Sequence, residues 1–420
     1  MFDLAPVRRV WIYFGKWENA LRTGQNRGND TMLIRHLFIT TAAAALVAGG
    51  SALAEDTVKV GFVMSYSGWF EPIDASTIRG AMLAIDDIND AGGVLGRQIE
   101  VVSFDNRSEP ALGADGAIDV IDQGAVAVLF PSDFDFGAPG AFIAQEAGVI
   151  SLSGASDPNF GVQGIGPFAY SISNAAQSQG AILAEWAYNE MGWRSAYTLL
   201  DTTIAFTNSL CEAFDRRWSE LAGDDALLGS DTFRNDDPTI AAQVTRINGL
   251  PEAPDAIMLC SYAPGGPSAI RQLRAAGLDQ PVMTGESLDG DYWVGAVPGL
   301  SDFYVVNYGS YVGDDPNPDV NAFFARYAEV YDREPDVSYG IRGYSLFQAW
   351  ARAAERAGSF DGAAVAAELD RFDNEPLAIG PTTFTPDLHI ATTRPMTIMQ
   401  AQDGEFSALG TYAPETVHLD

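Results

Sequence analysis

Residues 79–110 read RGAMLAIDDINDAGGVLGRQIEVVSFDNRSEP, and the pattern in this stretch decides the fold. Apolar residues recur near helical spacing over 78–91, and the turn residues NDAGG at 89–93 end the helix. The β-rich run RQIEVVSFD follows at 97–105. The stretch therefore predicts a helix that leads through a tight turn into a strand.

The same alternation extends in both directions along the chain. The run TVKVGFVM at 57–64 precedes the stretch, and a helix at 110–123 and the apolar run AVAVLF at 125–130 follow it. Strands that alternate with helices of this length indicate a parallel sheet flanked by helices. The remaining predicted helices are 138–147, 178–191, 207–222, 238–248, 267–276, 318–331 and 339–357, and the remaining strands are 149–153, 195–201, 228–233, 255–261, 281–285 and 303–312.

The length of the chain, 420 residues, favours two domains over a single core. The alternation restarts after 171–174, so we expect two α/β units that are joined by several chain crossings and enclose a cleft. Ligands of open α/β sheets bind beyond the carboxyl ends of the strands. The loops expected to face the cleft are those after residues 64, 130, 153, 201, 260 and 285.

The charge and the composition exclude several classes of protein. The chain has 24 Lys and Arg against 56 Asp and Glu, and its net charge of −32 argues against nucleic acid or an anionic membrane as a partner. Aromatic residues at 11% argue against disorder. The histidines His36, His389 and His418 are far apart, and the acidic stretch 313–319 lacks the spacing of a calcium loop. We therefore expect no metal, no cofactor and no acid–base catalysis.

The N-terminal part of the chain carries the pattern of an export signal. Residues 32–54 read MLIRHLFITTAAAALVAGGSALA, with a charged start at Arg35, a short apolar stretch and a small-residue cleavage site. We predict that Met32 is the initiator and that residues 1–31 are a non-native upstream extension. The mature protein is expected to start near Glu55 and to be soluble outside the cytoplasm.

Three stretches together resemble a known family. VGFVMSYSG at 60–68, the helix and turn at 79–110, and QEAGVISLSGAS at 145–156 are similar to type I periplasmic binding proteins of the leucine/isoleucine/valine-binding kind. The resemblance implies an α/β protein with two lobes, each a mainly parallel sheet flanked by helices, and a hinge of three crossovers. It also implies a monomeric periplasmic receptor of an ABC importer, which closes on a small-molecule ligand and docks on membrane permease subunits.

The resemblance also assigns parts of the chain to the two lobes. The N-terminal lobe is expected to comprise 55–173 and 309–381. The C-terminal lobe is expected to comprise 174–308 and 382–420. The ligand would lie in the cleft between them.

In relatives, the loop that corresponds to 130–137 offers a hydroxyl and backbone N–H groups to a ligand carboxylate. Here Phe134 stands where relatives often carry Ser. Ser132 is a possible substitute, and Asp135 is a nearby acid. The departure at Phe134 weakens the inference of a carboxylate site.

The next loop of relatives, here 153–157, usually offers a carbonyl at the position of Ala155 and a hydroxyl two residues later. Ser156 lies between these positions, and Asp157 occupies the second of them. A short acid before a proline also commonly fixes a turn, so both roles remain open for Asp157.

Aromatic residues and one carboxylate complete the resemblance. Glu286 aligns with the carboxylate that holds a ligand ammonium in amino-acid binders, and Tyr262 aligns with a pocket aromatic. Phe206 and Tyr339 fall at two further aromatic positions. Trp69 follows the first strand, in a loop whose side chains often cover the ligand.

These positions predict both a set of contacts and a class of ligand. An acidic pocket indicates either a ligand with an amine, amidine or amide N–H group, or a pocket in which one carboxyl group stays protonated. An amino acid is the family default, and amides, urea-like compounds, amines and aromatic solutes remain open. Ordinary roles as surface acid or core residue also remain open for individual positions. The predicted ligand contacts are Trp69, Ser132, Phe134, Asp135, Ala155, Ser156, Asp157, Phe206, Tyr262, Glu286 and Tyr339.

Two questions stay open at the level of sequence. Cys211 and Cys260 could form a disulfide, as export favours, or remain two buried thiols. The same fold could serve an exported subunit that senses a ligand for a membrane receptor. A secreted hydrolase is disfavoured because the chain has no GxSxG nucleophile motif, and we expect no enzymatic activity.

Overall fold

The computed structural model describes residues 57–419. The predicted export signal 32–54, the upstream segment 1–31 and the expected start at Glu55 lie outside the described residues. Among the helices of the described part, none combines the length and the apolar character needed to span a membrane.

The first lobe is built on a five-stranded parallel sheet with the order β2-β1-β3-β4-β5. Its central strands are covered by helices, which explains why they read as nearly continuous apolar runs. The strands are β1 Thr57–Met64, β2 Gln98–Asp105, β3 Ala125–Leu129, β4 Ile150–Ser153 and β5 Ala169–Ser171, and the helices that accompany them are α1 Glu71–Asp90, α2 Ala111–Asp122 and α3 Phe134–Glu146.

The second lobe is built on a seven-stranded sheet with the order β14-β13-β10-β9-β8-β6-β7. The five strands from β10 to β7 are parallel, and the last two strands of the chain join antiparallel at one edge. The helices are α4 Ala176–Asn189, α5 Ala205–Ala222, α6 Ala241–Asn248 and α7 Gly265–Ala275, and the strands are β6 Ala196–Asp201, β7 Leu227–Phe233, β8 Ala256–Cys260, β9 Val282–Thr284, β10 Phe303–Asn307, β13 Met396–Gln402 and β14 Glu405–Tyr412.

The remaining elements follow β10 and precede β13. They are α8 Pro318–Tyr331, α9 Tyr339–Ala357, α10 Gly362–Leu369 and the short antiparallel pair β11 Glu375–Leu377 and β12 Gly380–Thr382. Since α9 packs against α1, this part of the chain returns to the first lobe. The predicted two-lobed α/β architecture is confirmed.

The chain passes between the lobes three times, at 172–175, 308–317 and 383–395. Arg394 ties two of these crossings together, because its guanidinium donates to the side-chain oxygen of Asn174 at 3.0 Å and to the carbonyl of Ile172 at 2.6 Å. Burial lowers the pKa of Arg394 to about 10. These two crossings are therefore joined by hydrogen bonds within the hinge.

The helices α1 and α9 cross in direct backbone contact. A Cβ at Gly80 would lie 1.8 Å from the carbonyl oxygen of Gly340, and a Cβ at Gly343 would lie 1.9 Å from that of Thr77. Only glycine permits so close an approach. The crossing fixes the position of the N-terminal turns of α9, which point toward the cleft.

The sequence placed the start of α1 too late. The helix begins at Glu71 rather than at 78, and Pro72 lies in its first turn. A proline fits there because the first N–H groups of a helix have no partner within the helix.

The start of α3 was also predicted too late, at 138. The helix begins at Phe134, because a carboxyl oxygen of Asp133 caps it and accepts a hydrogen bond from the N–H of Asp135 at 2.9 Å. Phe134 and Phe136 therefore lie in the first turn of a helix rather than in a loop.

The contact between α1 and α9 gives a direct test by substitution. Gly343→Ala is expected to lower the free energy of unfolding by about 1–3 kcal/mol, because the new methyl meets backbone atoms that cannot move aside. Gly295→Ala is the matched control, since a Cβ there meets no atom within 4 Å. Urea unfolding of both variants measures the difference, and equal stability of the two would contradict the tight crossing.

Candidate functional site

A cavity lies where the carboxyl ends of the strands of the two sheets face each other, and its empty space of about 530 Å³ is partly open to solvent. Each of the loops predicted to face the cleft contributes at least one residue to its wall, as the strand-end argument requires. The first turns of α1, α3, α5 and α9 complete it. The lining residues are Trp69, Phe70, Ile73, Ser132, Asp133, Phe134, Phe136, Ser156, Asp157, Ile204, Phe206, Tyr262, Glu286, Ser287, Tyr339 and Arg342.

One side of the cavity is a wall of aromatic rings. Phe70 and Phe136 are stacked with their centroids 5.1 Å apart, and Trp69 meets Phe136 edge-on at 5.4 Å. Trp69 also lies 5.7 Å from Tyr262, which belongs to the second lobe. The rings thus close the mouth of the cavity from both lobes and supply a rigid apolar surface. Trp69 keeps 47% of its surface exposed, so it marks the border between the cavity and solvent.

The polar part of the lining centres on Glu286. One oxygen of its carboxylate accepts a hydrogen bond from the hydroxyl of Ser156 at 2.8 Å, and the other lies 3.3 Å from the guanidinium of Arg342. Its backbone N–H donates to the side chain of Gln179 at 3.0 Å, and its carbonyl accepts from the hydroxyl of Tyr339. Burial raises the pKa of Glu286, and the charge of Arg342 opposes this shift.

Arg342 is a cavity residue that the sequence analysis missed. It is 1% exposed, and its guanidinium donates to the carbonyl of Gly154 at 3.1 Å and to the hydroxyl of Thr77 at 3.3 Å. The guanidinium also lies 4.2 Å from the ring of Tyr339. A Cβ at Gly154 would lie 2.4 Å from the guanidinium, so the glycine makes room for it. The signal was present in the sequence, because residues three apart in a helix share a face and Tyr339 was already predicted to face the cleft.

Asp133 is a second missed residue of the cavity. It is 7% exposed, and its burial, followed by the charge of Asp135, raises the pKa of its carboxyl group to about 8. The pocket expected to be acidic thus also contains a group of opposite charge and a carboxyl group whose neutral form is favoured. Arg342 brings a buried positive charge, and the Asp133 carboxyl holds its proton at neutral pH.

Two predicted contacts, Asp135 and Ala155, lie outside the lining of the cavity. Asp135 is exposed, and its carboxylate accepts from the N–H of Ala205 at 3.1 Å, the first residue of α5 in the second lobe. Ala155 is fully buried, and its carbonyl accepts a hydrogen bond from the hydroxyl of Ser171. Asp135 thus joins the lobes beside the cavity, and the Ala155 carbonyl is occupied within the first lobe.

Ser132 lines the cavity, but its backbone N–H is already engaged. It donates to the carboxylate of Asp74 at 3.2 Å, which also accepts from the N–H of Ser65 at 3.0 Å. Asp74 is fully buried, and this burial raises its pKa to about 6. The carboxylate therefore holds the loops after β1 and β3 in place.

Asp157 has the turn-fixing role that the sequence left open, and it also lies at the cavity, so a ligand contact stays a prediction. It lines the cavity, and one oxygen of its carboxylate accepts from the backbone N–H of Asn159 at 2.8 Å and from the Asn159 side chain at 2.9 Å. These hydrogen bonds fix the turn at 157–159, in the loop that follows β4. The other predicted residues, Trp69, Phe134, Ser156, Phe206, Tyr262, Glu286 and Tyr339, also line the cavity.

The structure pairs Cys211 with Cys260 in a disulfide, which answers the question left open above. Their Cα atoms are 5.8 Å apart, and both side chains are buried. The bond joins α5, which carries Phe206, to the end of β8, which leads to Tyr262. The disulfide thereby links the two elements that position Phe206 and Tyr262 at the cavity.

Comparison with known proteins agrees with this architecture. A Leu/Ile/Val-binding protein, BraC3, of Rhizobium johnstonii is 24% identical over 353 residues, which are 83% of this chain and 93% of that protein. The crystal structure of LivJ from Streptococcus pneumoniae in complex with isoleucine superposes with a TM-score of 0.76 at 24% identity, over 86% of this chain and all of that one.

A more distant structure has the same fold. The solute-binding protein RPA0668 of R. palustris, in complex with benzoate, has a TM-score of 0.71 at 20% identity and covers 86% of this chain and 98% of its own. At these identities the structural matches establish the fold alone. The sequence model of the family described as periplasmic binding protein matches residues 57–405. The chain belongs to the periplasmic binding protein family.

Proposed function

We propose that this chain is the extracytoplasmic solute-binding receptor of an ABC importer, which captures a small polar solute between its lobes. The observation that carries the proposal is a cavity whose wall comes from both lobes, with Ser156 of the first lobe bonded to Glu286 of the second. A ligand that contacts both lobes binds the closed state more tightly than the open state. This difference in affinity drives closure of the receptor. Such a receptor catalyses no reaction.

The proposal extends to location and partners. The family membership supports a protein that works in the periplasm and delivers its ligand to permease subunits, and we propose that it does so as a monomer. We assign 55–173 and 309–381 to the N-terminal lobe, and 174–308 and 382–420 to the C-terminal lobe. The outer faces of both lobes would dock on the permease after closure.

An apolar amino acid is our first candidate for the ligand. The aromatic wall suits an aliphatic or aromatic body, and the hydroxyls and charges around Glu286 suit a polar head group. The S. pneumoniae structure contains isoleucine and the R. palustris structure contains benzoate, and both molecules join a carboxylate to an apolar body. The protonated carboxyl of Asp133 and the charge of Arg342 reduce the negative charge that would otherwise repel a ligand carboxylate.

Thermal denaturation with a panel of solutes tests this function. Leucine, isoleucine, amides, polyamines and aromatic acids are added to protein freed of bound solute by unfolding and refolding. A ligand at 100 times its Kd stabilises the folded state by about 2.7 kcal/mol and raises the Tm. We expect the apolar amino acids to give the largest shifts, and absence of a shift across the whole panel would count against the proposed ligand class.

The aromatic wall is tested by truncating one ring. Phe206→Ala is expected to weaken binding of the best solute about 10- to 100-fold, because it removes a buried apolar contact worth roughly 1.5–3 kcal/mol. Phe142→Ala is the matched control, since Phe142 lies in α3 outside the cavity lining and is 47% exposed. Calorimetric titration of both variants gives the comparison, and equal affinities would remove Phe206 from the binding site.

Because the pKa of Asp133 is raised in the folded protein, we expect the free energy of unfolding to depend on pH. Its folded pKa of about 8 lies above the ordinary value of 3.8, so its stabilising contribution is complete below pH 4 and is lost as the pH rises through 8. Between about pH 6.5 and 7.5, the titration of Asp133 should contribute a fall of about 1.4 kcal/mol per pH unit to the free energy of unfolding.

Asp133→Asn keeps the cap of α3, because an amide oxygen also accepts the N–H of Asp135, but it removes the titration. We expect urea unfolding of this variant between about pH 6.5 and 7.5 to show a flatter pH dependence than the unmodified protein. Asp361→Asn, at the exposed cap of α10, is the control and should follow the unmodified protein. Parallel curves for all three proteins would show that Asp133 is ionised in the folded state.

A further inference from the structure

The ion pair between Glu286 and Arg342 joins the two lobes inside the cavity. Glu286 follows β9 of the second lobe, and Arg342 lies on α9, which packs on α1 of the first lobe. Their closest atoms are 3.3 Å apart, and the side chains are 7% and 1% exposed. Both residues line the cavity. Opposite charges from the two lobes therefore meet at the place where a ligand head group would lie.

The pair is weaker than its burial would suggest. Guanidinium–carboxylate hydrogen bonds are strongest at about 2.7–2.9 Å, and the contact of Arg342 to the Glu286 carboxylate, at 3.3 Å, is longer than this. The Nε atom of Arg342 is buried and has no hydrogen-bond partner among the described residues. The guanidinium can therefore accept a better anionic partner than the one it has.

We propose that this ion pair stands in for a zwitterionic ligand and is exchanged for it on binding. The ammonium group of the ligand takes the place of Arg342 at Glu286, and its carboxylate takes the place of Glu286 at Arg342. Arg342 is thereby a residue that determines specificity. The inference rests on the proposed receptor function and names the charge pattern of the solute that the same cavity selects.

The selection follows from the cost of a buried charge without a partner. A zwitterion gives each of the two side chains a new partner of opposite charge. A carboxylate without an amine would leave Glu286 unpaired, and an amine without a carboxylate would leave Arg342 unpaired. Loss of one partner of a buried charge pair commonly weakens binding by a factor of about 100 or more. The site should therefore discriminate against molecules that carry only one of the two charges.

In the protein without ligand, the same pair holds the lobes together, with help from the hydrogen bond between Ser156 and Glu286. Small-angle X-ray scattering of the ligand-free protein tests this independently of any ligand. Arg342→Gln and the double variant Glu286→Gln/Arg342→Gln are expected to have a larger radius of gyration than the unmodified protein. Arg342→Gln leaves the buried charge of Glu286 without a partner and could prevent folding. The double variant removes both charges, so it keeps the test valid in that case.

Glu375→Gln is the matched control for the scattering measurement. Glu375 pairs with Arg352 at 2.9 Å and with Arg356 at 2.8 Å, and its side chain is 10% exposed, but it lies outside the cavity lining. This control should keep the radius of gyration of the unmodified protein. An unchanged radius in both Arg342 variants would overturn the proposed contact between the lobes.

The exchange itself is tested by calorimetry with three related probes. They are leucine, 4-methylpentanoate, which lacks the amine, and 3-methylbutylamine, which lacks the carboxylate. We expect leucine to bind about 100-fold more tightly than either analogue to the unmodified protein, and this preference to fall to about 10-fold or less in the double variant. Glu286→Gln should favour 4-methylpentanoate relative to leucine, and Arg342→Gln should favour 3-methylbutylamine.

The outcomes separate this inference from the receptor function. If leucine and an analogue bind the unmodified protein with similar affinity, the charge exchange is wrong and the receptor function stands. If none of the three probes binds, selection of an apolar zwitterion is overturned, and the receptor function is decided by the wider panel of solutes. If the preference for leucine survives in the double variant, Arg342 does not determine specificity.

Discussion

The close crossing of α1 and α9 is the contact on which the architecture of the cleft depends. Gly80 and Gly343 allow the two backbones to touch, and this brings Arg342 within reach of Thr77, 265 positions earlier in the chain. The same helix α1 carries Asp74, whose carboxylate holds the loops after β1 and β3. A wider separation of the helices would withdraw the guanidinium from the cavity and leave the Glu286 carboxylate buried without its cation, which is a costly arrangement in a protein interior.

Electrostatics then gives the cleft its character. A chain with a net charge of −32 encloses a cavity in which the acidic groups are offset in two different ways. Glu286 is paired with Arg342, whereas the burial of Asp133 favours its neutral form. The surface charge of the protein is therefore a poor guide to the charge of its binding site. The aromatic rings also affect this polar region. Because they exclude water, they lower the local dielectric and strengthen the charge interactions in the cavity.

The fold was largely predictable because its signals are local. The alternation of strand and helix, the turn after α1 and the loops at strand ends can each be found within a few residues of sequence. The errors also have local causes: the starts of α1 and α3 depend on Pro72 and on the cap Asp133, whose effects extend a helix beyond its apolar pattern. Most of the cavity was predicted for the same reason, since residues directly after parallel strands share one edge of the sheet. Asp135 was misplaced because the first turn of α3 directs it toward the start of α5.

By itself, the sequence determined the α/β class, the two-unit organisation and the aromatic and acidic residues that follow the strands, because periodicity and strand ends are encoded by neighbouring residues. Only the tertiary structure decided which of these side chains carry charge in the cleft. The partner of Glu286, the protonation of Asp133 and the bond between Cys211 and Cys260 all depend on contacts between distant parts of the chain. Such contacts are set by how helices and lobes pack, and no local pattern records the distance between two side chains that meet only after folding.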